Sequence, residues 1–375
     1  MKPTEYFDQF CSRYAAYKNG AWCYEDGCIY RGLELLYKAT GEQRWFDHLL
    51  RLISPQVGKD GSLAGYTPDE FNIDNILPGR ALLFLDRETG DPRYMTAAKR
   101  LIAQLDAHPR IPAGNYWHKK RYHSQVWLDG LYMGLPFQVE YALATGETPR
   151  ISDALQQMAT ALALTAIGDG MHVHGYDDSR KEKWADPATG KSPAVWARAM
   201  GWQAMALVDI LAVLPDDHAT VALRRQTGTI LTAIANRQQA SGLWPQVLDA
   251  PDLRGNYEET SASAMFAYAL SCATDIHLEA RDMQRVTAAG AKAVSALADT
   301  RLVDADGETR LTGICQVAGL GPFNGRYRDG SPAYYLVEEV VSDDAKGVGP
   351  FMMAYAQVIL SLKDQVAPVR HLASN

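Results

Sequence analysis

Three segments of the chain repeat one order of polar and apolar positions: a small or polar start, an apolar helix, Thr-Gly, and a second helix. They are "EDGCIYRGLELLYKATGEQRWFDHLLRLI" from Glu25, "DNILPGRALLFLDRETGDPRYMTAAKRLIAQL" from Asp74, and "DGLYMGLPFQVEYALATGETPRISDALQQMATAL" from Asp129. Thr-Gly ends each first helix, with glycine where a left-handed C-terminal cap is wanted. Each unit predicts a helical hairpin. Three later apolar segments take the first-helix position without Thr-Gly: "WARAMGWQAMALVDIL" from Trp196, "SASAMFAYALSCA" from Ser261 and "GVGPFMMAYAQVILSL" from Gly347. Six hairpins of roughly 50 to 80 residues then account for most of the chain.

The first helices are rich in Gly, Ala, Met and aromatics on all sides, whereas second helices such as "RYMTAAKRLIAQLDAH" carry charges on one face. A helix that is apolar all round is surrounded by protein, and one with a polar face borders solvent. The pattern predicts an inner ring of helices inside an outer ring. Six hairpins closing on themselves make an all-α (α/α)6 barrel, a six-hairpin toroid spanning residues 1–375 as one domain; an open solenoid is the alternative. Strand-like alternation is scarce, and "RLVDADGETRLTG" from Arg301 predicts a small hairpin or irregular excursion. Stretches rich in Trp, Tyr, Gly and Asp fall at the starts of the inner helices, which points to a site on one rim of the barrel.

Composition narrows the partners. The chain has 375 residues, 47% hydrophobic and 22% charged, enough apolar content for a sizeable core. Its net charge of -7 leaves no basic footprint for nucleic acid or an anionic membrane, so an anionic ligand needs a local basic patch. The first twenty residues contain no apolar stretch long enough for a signal peptide, and no later run approaches a membrane span, which predicts a cytoplasmic protein. Cys11, Cys23, Cys28, Cys272 and Cys315 are scattered and lack metal-ligand spacing, so they read as reduced packing residues. Neither a metal nor a cofactor is expected.

The rim segments carry the chemistry. Asp129 lies among Trp127, Leu128, Tyr132 and Met133, and at a helix start it is either an N-cap or a carboxyl whose pKa desolvation raises toward the range of proton donation. Pro136 argues for a kink or a late helix start. Asp74, in "FNIDN", holds the equivalent place in an earlier hairpin, as a partner carboxyl or as the cap of its own helix. Arg198 and Trp202 are four apart and project together, with Trp196 on another side or before the helix. Arg198 reads as a structural ion pair or as a clamp for a carboxylate or sugar hydroxyls. Lys119, Lys120 and Arg121 supply local positive charge before Asp129. His172 and His174 alternate, but without a supporting acid or cysteine they read as hydrogen-bonding histidines rather than ligands. "DDSRKEKWADPATGK" reads as a solvated loop over the rim. Before the fifth inner helix, Thr260 or Ser261 is a candidate cap, and Glu258 or Glu259 a charge at the helix N-terminus. Trp and Tyr at several rim positions suit sugar stacking, with core packing the plain reading of any single one.

Eight stretches occur in one order: "WCYEDG", "FNIDN", "HSQVWLDGLYMGLPF", "HGYDDSRKEKWAD", "WARAMGW", "GLWPQVLD", "YEETSASAM" and "DDAKGVGPFMMAY". In these the chain resembles the unsaturated rhamnogalacturonyl hydrolases of glycoside hydrolase family 105, with the unsaturated glucuronyl hydrolases of family 88 more distant. The resemblance implies an (α/α)6 barrel and a lyase-generated oligosaccharide bearing a Δ4,5-unsaturated uronic acid at its non-reducing end, a small anionic substrate of pectin degradation. It implies Asp129 as the catalytic acid, Asp74 as a second acid, and a substrate site of Tyr24, Lys119, Met133, His174, Trp196, Arg198 and Trp202. Asp129 would protonate C4 of the vinyl ether while water adds at C5. Cys23 stands where a polar side chain is expected beside Tyr24, which would remove one hydrogen bond at the outermost subsite. Rhamnose comes from the family alone. Glycosaminoglycan or ulvan fragments as substrate, an inverting glycosidase or sugar epimerase on the same toroid, and a non-catalytic sugar-binding protein are the other readings.

Overall fold

The computed structural model describes residues 2–273 and 276–366. The three Thr-Gly pairs end helices as their chemistry requires. Gly41, Gly90 and Gly146 are left-handed caps with φ of 73°, 66° and 79°. The threonine before each donates its hydroxyl to the carbonyl four residues back, on Leu36, Leu85 and Tyr141. Three hairpins follow, α2 (Tyr24–Thr40) with α3 (Gln43–Ile53), α4 (Gly79–Thr89) with α5 (Pro92–Ala107), and α6 (Leu128–Thr145) with α7 (Pro149–Thr165), all preceded by α1 (Pro3–Arg13). The pairs α8 (Ala197–Val213) with α9 (Val221–Ala235) and α10 (Thr260–Ser271) with α11 (Ala280–Thr300) continue the series, and α12 (Pro332–Tyr335) and α13 (Ala345–Val366) complete it.

Helices α2, α4, α6, α8, α10 and α13 form the inner ring, each packed on the next, and α13 returns to pack on α2. The ring is closed, so the fold is the (α/α)6 barrel and not a solenoid. The sixth hairpin is assembled from the chain ends, because α1 is the outer helix that packs on α13 and α3. Glycine makes the closing seam possible. An added Cβ at Gly349 would run into the Cys28 carbonyl, and one at Gly32 into Met352. The burial contrast follows the sequence pattern: every residue from Ala197 to Leu211 of α8 is buried, whereas α3 buries only Trp45, Leu49, Leu52 and Ile53, a single face.

Two local expectations are corrected. Helix α6 starts at Leu128 rather than late and continues through Pro136, which sits buried inside it. Packing on both ring neighbours offsets the hydrogen bond to the Tyr132 carbonyl that proline cannot make. Leu302–Ala305 and Glu308–Leu311 do form a hairpin, one of five two-stranded pairs among the described residues. Another joins Gln125–Trp127 to Gly175–Asp177 at the rim. Above it, Tyr122, Trp127, Trp184, Ala185 and Leu320 form a small apolar cluster apart from the main core. Trp184 anchors the "DDSRKEKWADPATGK" stretch there, so this segment is only partly solvated. Among the described residues no helix is long and apolar enough to cross a membrane.

Candidate active site

Tyr24, Asp74, Lys119, Asp129, Met133, Trp196, Arg198 and Trp202 line one rim cavity of about 410 Å³. A larger open groove, about 1080 Å³, lies outside the ring between α9 and α11 and contains none of these residues. The small cavity is where the inner-helix starts meet.

Asp129 is the second residue of α6, whose N-cap is Trp127, so it does not cap the helix. Its Oδ2 lies 3.1 Å from Nε2 of His174, whose Nδ1 is 2.8 Å from the Tyr335 hydroxyl. Neither Oδ2 of Asp129 nor Nε2 of His174 has a well-aligned hydrogen bond among the described residues. Burial pushes the Asp129 carboxyl up, but the His174 imidazole together with His118 and Arg198 outweighs it, and the carboxyl ends below its ordinary range. This corrects the expectation of a carboxyl kept protonated by an apolar wall, because the wall contains an imidazole.

His174 itself is fully buried, edge-on to Trp127 and tilted against Trp196 and Tyr335. It stands behind Asp129 and not on the cavity surface, so its expected place among the substrate contacts is corrected. His172 bonds Thr165 and faces away from Asp129.

Asp74 sits in a 3-10 turn, Ile73–Ile76, capped by Asn72, and so does not cap its own helix. Its Oδ2 is 2.5 Å from Lys119 Nζ, and its Oδ1 is 3.7 Å from His118 Nε2. Burial raises this carboxyl, but Lys119 and then His118 win, and it too is held below the usual range. Burial pulls His118 down to about 4, so its ring is neutral at neutral pH. That ring stacks on Trp127 at 4.3 Å, and Trp127 stacks on Tyr122 at 4.5 Å, which makes an aromatic wall.

Trp196 is the N-cap of α8 and precedes the helix, with Arg198 4.7 Å over its ring. Arg198 donates to the Ser261 hydroxyl and the Cys315 carbonyl and lies 4.0 Å from Glu259. It meets both earlier readings, being tied to the frame while lining the cavity. Glu259, rather than Thr260 or Ser261, caps α10, accepting from the amides of Ser261, Ala262 and Cys315. Cys23 is buried, 3.6 Å from Asp26, and does not line the cavity, so its thiol leaves no gap there.

Sequence reasoning passed over His118, Tyr335, Arg328 and Lys346. His118 adjoins Lys119 and was within reach of the motif. Tyr335 meets His174 across 161 residues, and no local pattern marks such a contact. Lys18, Lys119, Arg121, Arg198, Arg328 and Lys346 line the cavity against only Glu25, Asp74 and Asp129. The acidic chain has the local basic patch that an anionic ligand requires.

Residues 4–362 match the family profile described as Glycosyl Hydrolase Family 88. The chain belongs to that family. Within it the chain is 34% identical to a family 105 glycoside hydrolase structure from C. acetobutylicum, covering 94% of this chain and 99% of that one with a TM-score of 0.87. It is 28% identical over 262 residues to the unsaturated rhamnogalacturonyl hydrolase YesR of Bacillus subtilis, 67% of this chain and 70% of that protein. It is 60% identical over 230 residues to a 24.9 kDa protein in the picA locus of Rhizobium radiobacter, 61% of this chain and 99% of that protein. The chain is therefore a glycoside hydrolase of the family 88 and 105 group, the unsaturated glycuronyl hydrolases.

Proposed function

We propose that the rim cavity takes a lyase-generated oligosaccharide and releases its Δ4,5-unsaturated uronic acid, with unsaturated rhamnogalacturonan disaccharide as the reference substrate. The observation that carries this reading is the pairing of Asp129 with His174 inside a cavity lined by six Lys and Arg side chains and three carboxylates.

Burial raises the Asp129 carboxyl and the His174 imidazole lowers it, and in the free enzyme the carboxyl sits below its ordinary range. The uronate carboxylate brings a further negative charge into a low-dielectric space, which favours the neutral form of Asp129. Lys119 and Arg198 are the candidates to receive that carboxylate, and Tyr24, Met133, Trp196 and Trp202 shape the sugar subsite. Asp129 then gives its proton to C4, and water adds its oxygen to C5 while returning a proton to Asp129. The C5 hemiketal opens as the C5–O5 bond breaks, and the resulting C1 hemiacetal collapses to an aldehyde and the free alcohol of the aglycone. Water is consumed, and no attack on the anomeric carbon is required. His174 is a positioning residue that holds the Asp129 carboxyl and its proton. Asp74, held ionised by Lys119, fits a hydrogen-bond acceptor for substrate hydroxyls.

The test follows loss of the enoate absorbance with unsaturated rhamnogalacturonan disaccharide, with Asp129→Asn as control. Turnover by the native protein and its loss in the variant, with binding retained, are expected. A folded protein that consumes no unsaturated uronide, or one that cleaves the saturated analogue equally well, would overturn the reading.

A further inference from the structure

The basic side of the cavity holds a feature the hydration step does not use. Arg121 and Arg328 both line it, and their Nη2 atoms converge on one hydroxyl, that of Tyr122, at 2.8 and 2.9 Å. Both guanidinium groups also lie over the Phe323 ring, at 5.6 and 4.7 Å. Among the described residues no ion pair joins either to a carboxylate. Arg328 is 3% exposed. Its Nε and Nη2 are taken by the carbonyls of Gly321 and Leu320 and by Tyr122, while Nη1 has no protein acceptor among the described residues. Gly319 makes the room, since a side chain there would run into the guanidinium.

A tie between loops needs no charge, and a neutral donor would hold Tyr122 as well. Burying a cation without an acid is costly, and setting a second cation on the same hydroxyl adds like-charge repulsion. An anion between the two guanidinium groups removes both costs, and a planar fork suits a carboxylate or a sulfate. Tyr122 stacks on Trp127, and Trp127 on His118, so this pair is joined through the aromatic wall to the side of the cavity that holds the two aspartates.

Resting on the function proposed above, we propose that Arg121 and Arg328 form a second anion subsite, which selects unsaturated oligosaccharides whose aglycone carries a carboxylate or sulfate. A neutral aglycone leaves the pair unmatched.

The test compares substrates identical at the unsaturated end. One pair is the unsaturated rhamnogalacturonan disaccharide and its tetrasaccharide, which adds a second uronate. The other is the unsulfated and sulfated unsaturated chondroitin disaccharides. In at least one pair kcat/KM is expected to be about tenfold higher for the member with the charged aglycone, the size of one charge-assisted contact. The preferred pair names the source of the anion. Arg121→Gln, at an exposed position, is expected to bring that ratio toward one through KM, and added salt to compress it. Arg328→Lys, which keeps the charge but loses the fork, gives a second reading. Equal use of charged and neutral members in both pairs, or a ratio that survives Arg121→Gln, overturns the subsite while leaving the hydrolase reading intact. No turnover of any of these substrates by the folded protein overturns both.

Discussion

Replacing His174 by glutamine separates what burial and the imidazole each do to Asp129. At 3.1 Å a full charge pair attracts by about 5 kcal/mol at an effective dielectric of 20. Burial opposes that attraction, and breaking such a buried pair costs about 3 kcal/mol, so the melting temperature is expected to fall by several degrees. The sign with pH follows from the direction of the shift. The native carboxyl sits below its unfolded value, so its share of stability is present above the ordinary carboxylate range and fades as pH falls through the lowered native value. In the variant, burial acts without the imidazole and pushes the carboxyl up, so the deficit against the native protein is larger at pH 7 than in mild acid. Activity shifts as well. kcat/KM is expected to fall as pH rises through the Asp129 carboxyl, which must be protonated to donate. In the variant burial raises that carboxyl, so this fall is expected to move to higher pH. The assay is enoate absorbance across pH, with thermal unfolding at each point. A variant whose profile stays where the native protein has it would refute the hold of the imidazole on the carboxyl.

Lys119→Met leaves Asp74 buried without its cation. We expect a loss of about 2 to 3 kcal/mol in denaturant unfolding and a raised KM, since the two side chains are only 17% and 8% exposed. Gly146→Ala meets open space but keeps a φ of 79°, so backbone strain alone should cost about 1 kcal/mol, read by the same unfolding measurement. Burial pulls His108, His118 and His172 each to about 4, against about 6.5 in the unfolded chain. The unfolded state binds more protons between those values, so stability should fall as pH drops from 6.5 to 4, by up to about 3 kcal/mol per histidine. His172→Gln, remote from the cavity, should make that fall less steep in thermal melts.

The first three hairpins were legible because Thr-Gly is a local signal: three left-handed caps need glycine whatever surrounds them. The inner and outer rings were legible because burial on every side leaves a helix no polar face, as along α8. What misled was local chemistry read without its neighbours. Asp129 and Asp74 looked like caps because acids at helix starts commonly are, yet Trp127 and Asn72 hold those positions. Glu259 looked like a dipole partner and is the cap itself, since its carboxylate reaches the amides of Ser261 and Ala262. Pro136 argued for a kink or a late helix start, but α6 already begins at Leu128, and a helix gripped by two ring neighbours tolerates one missing hydrogen bond.

The chain by itself determined the six inner-helix segments, which faces the helices bury, and that the functional segments lie at the inner-helix starts, because period, capping and burial act within a few residues. Only the tertiary structure decided that α1 completes the sixth hairpin, that His174 stands behind Asp129 with Tyr335 behind it, and that Arg121 and Arg328 meet at Tyr122. Those contacts join residues far apart in sequence. The charge state of Asp129 depends on them because, in a space with little water, the polar groups gathered around the carboxyl together outweigh its burial.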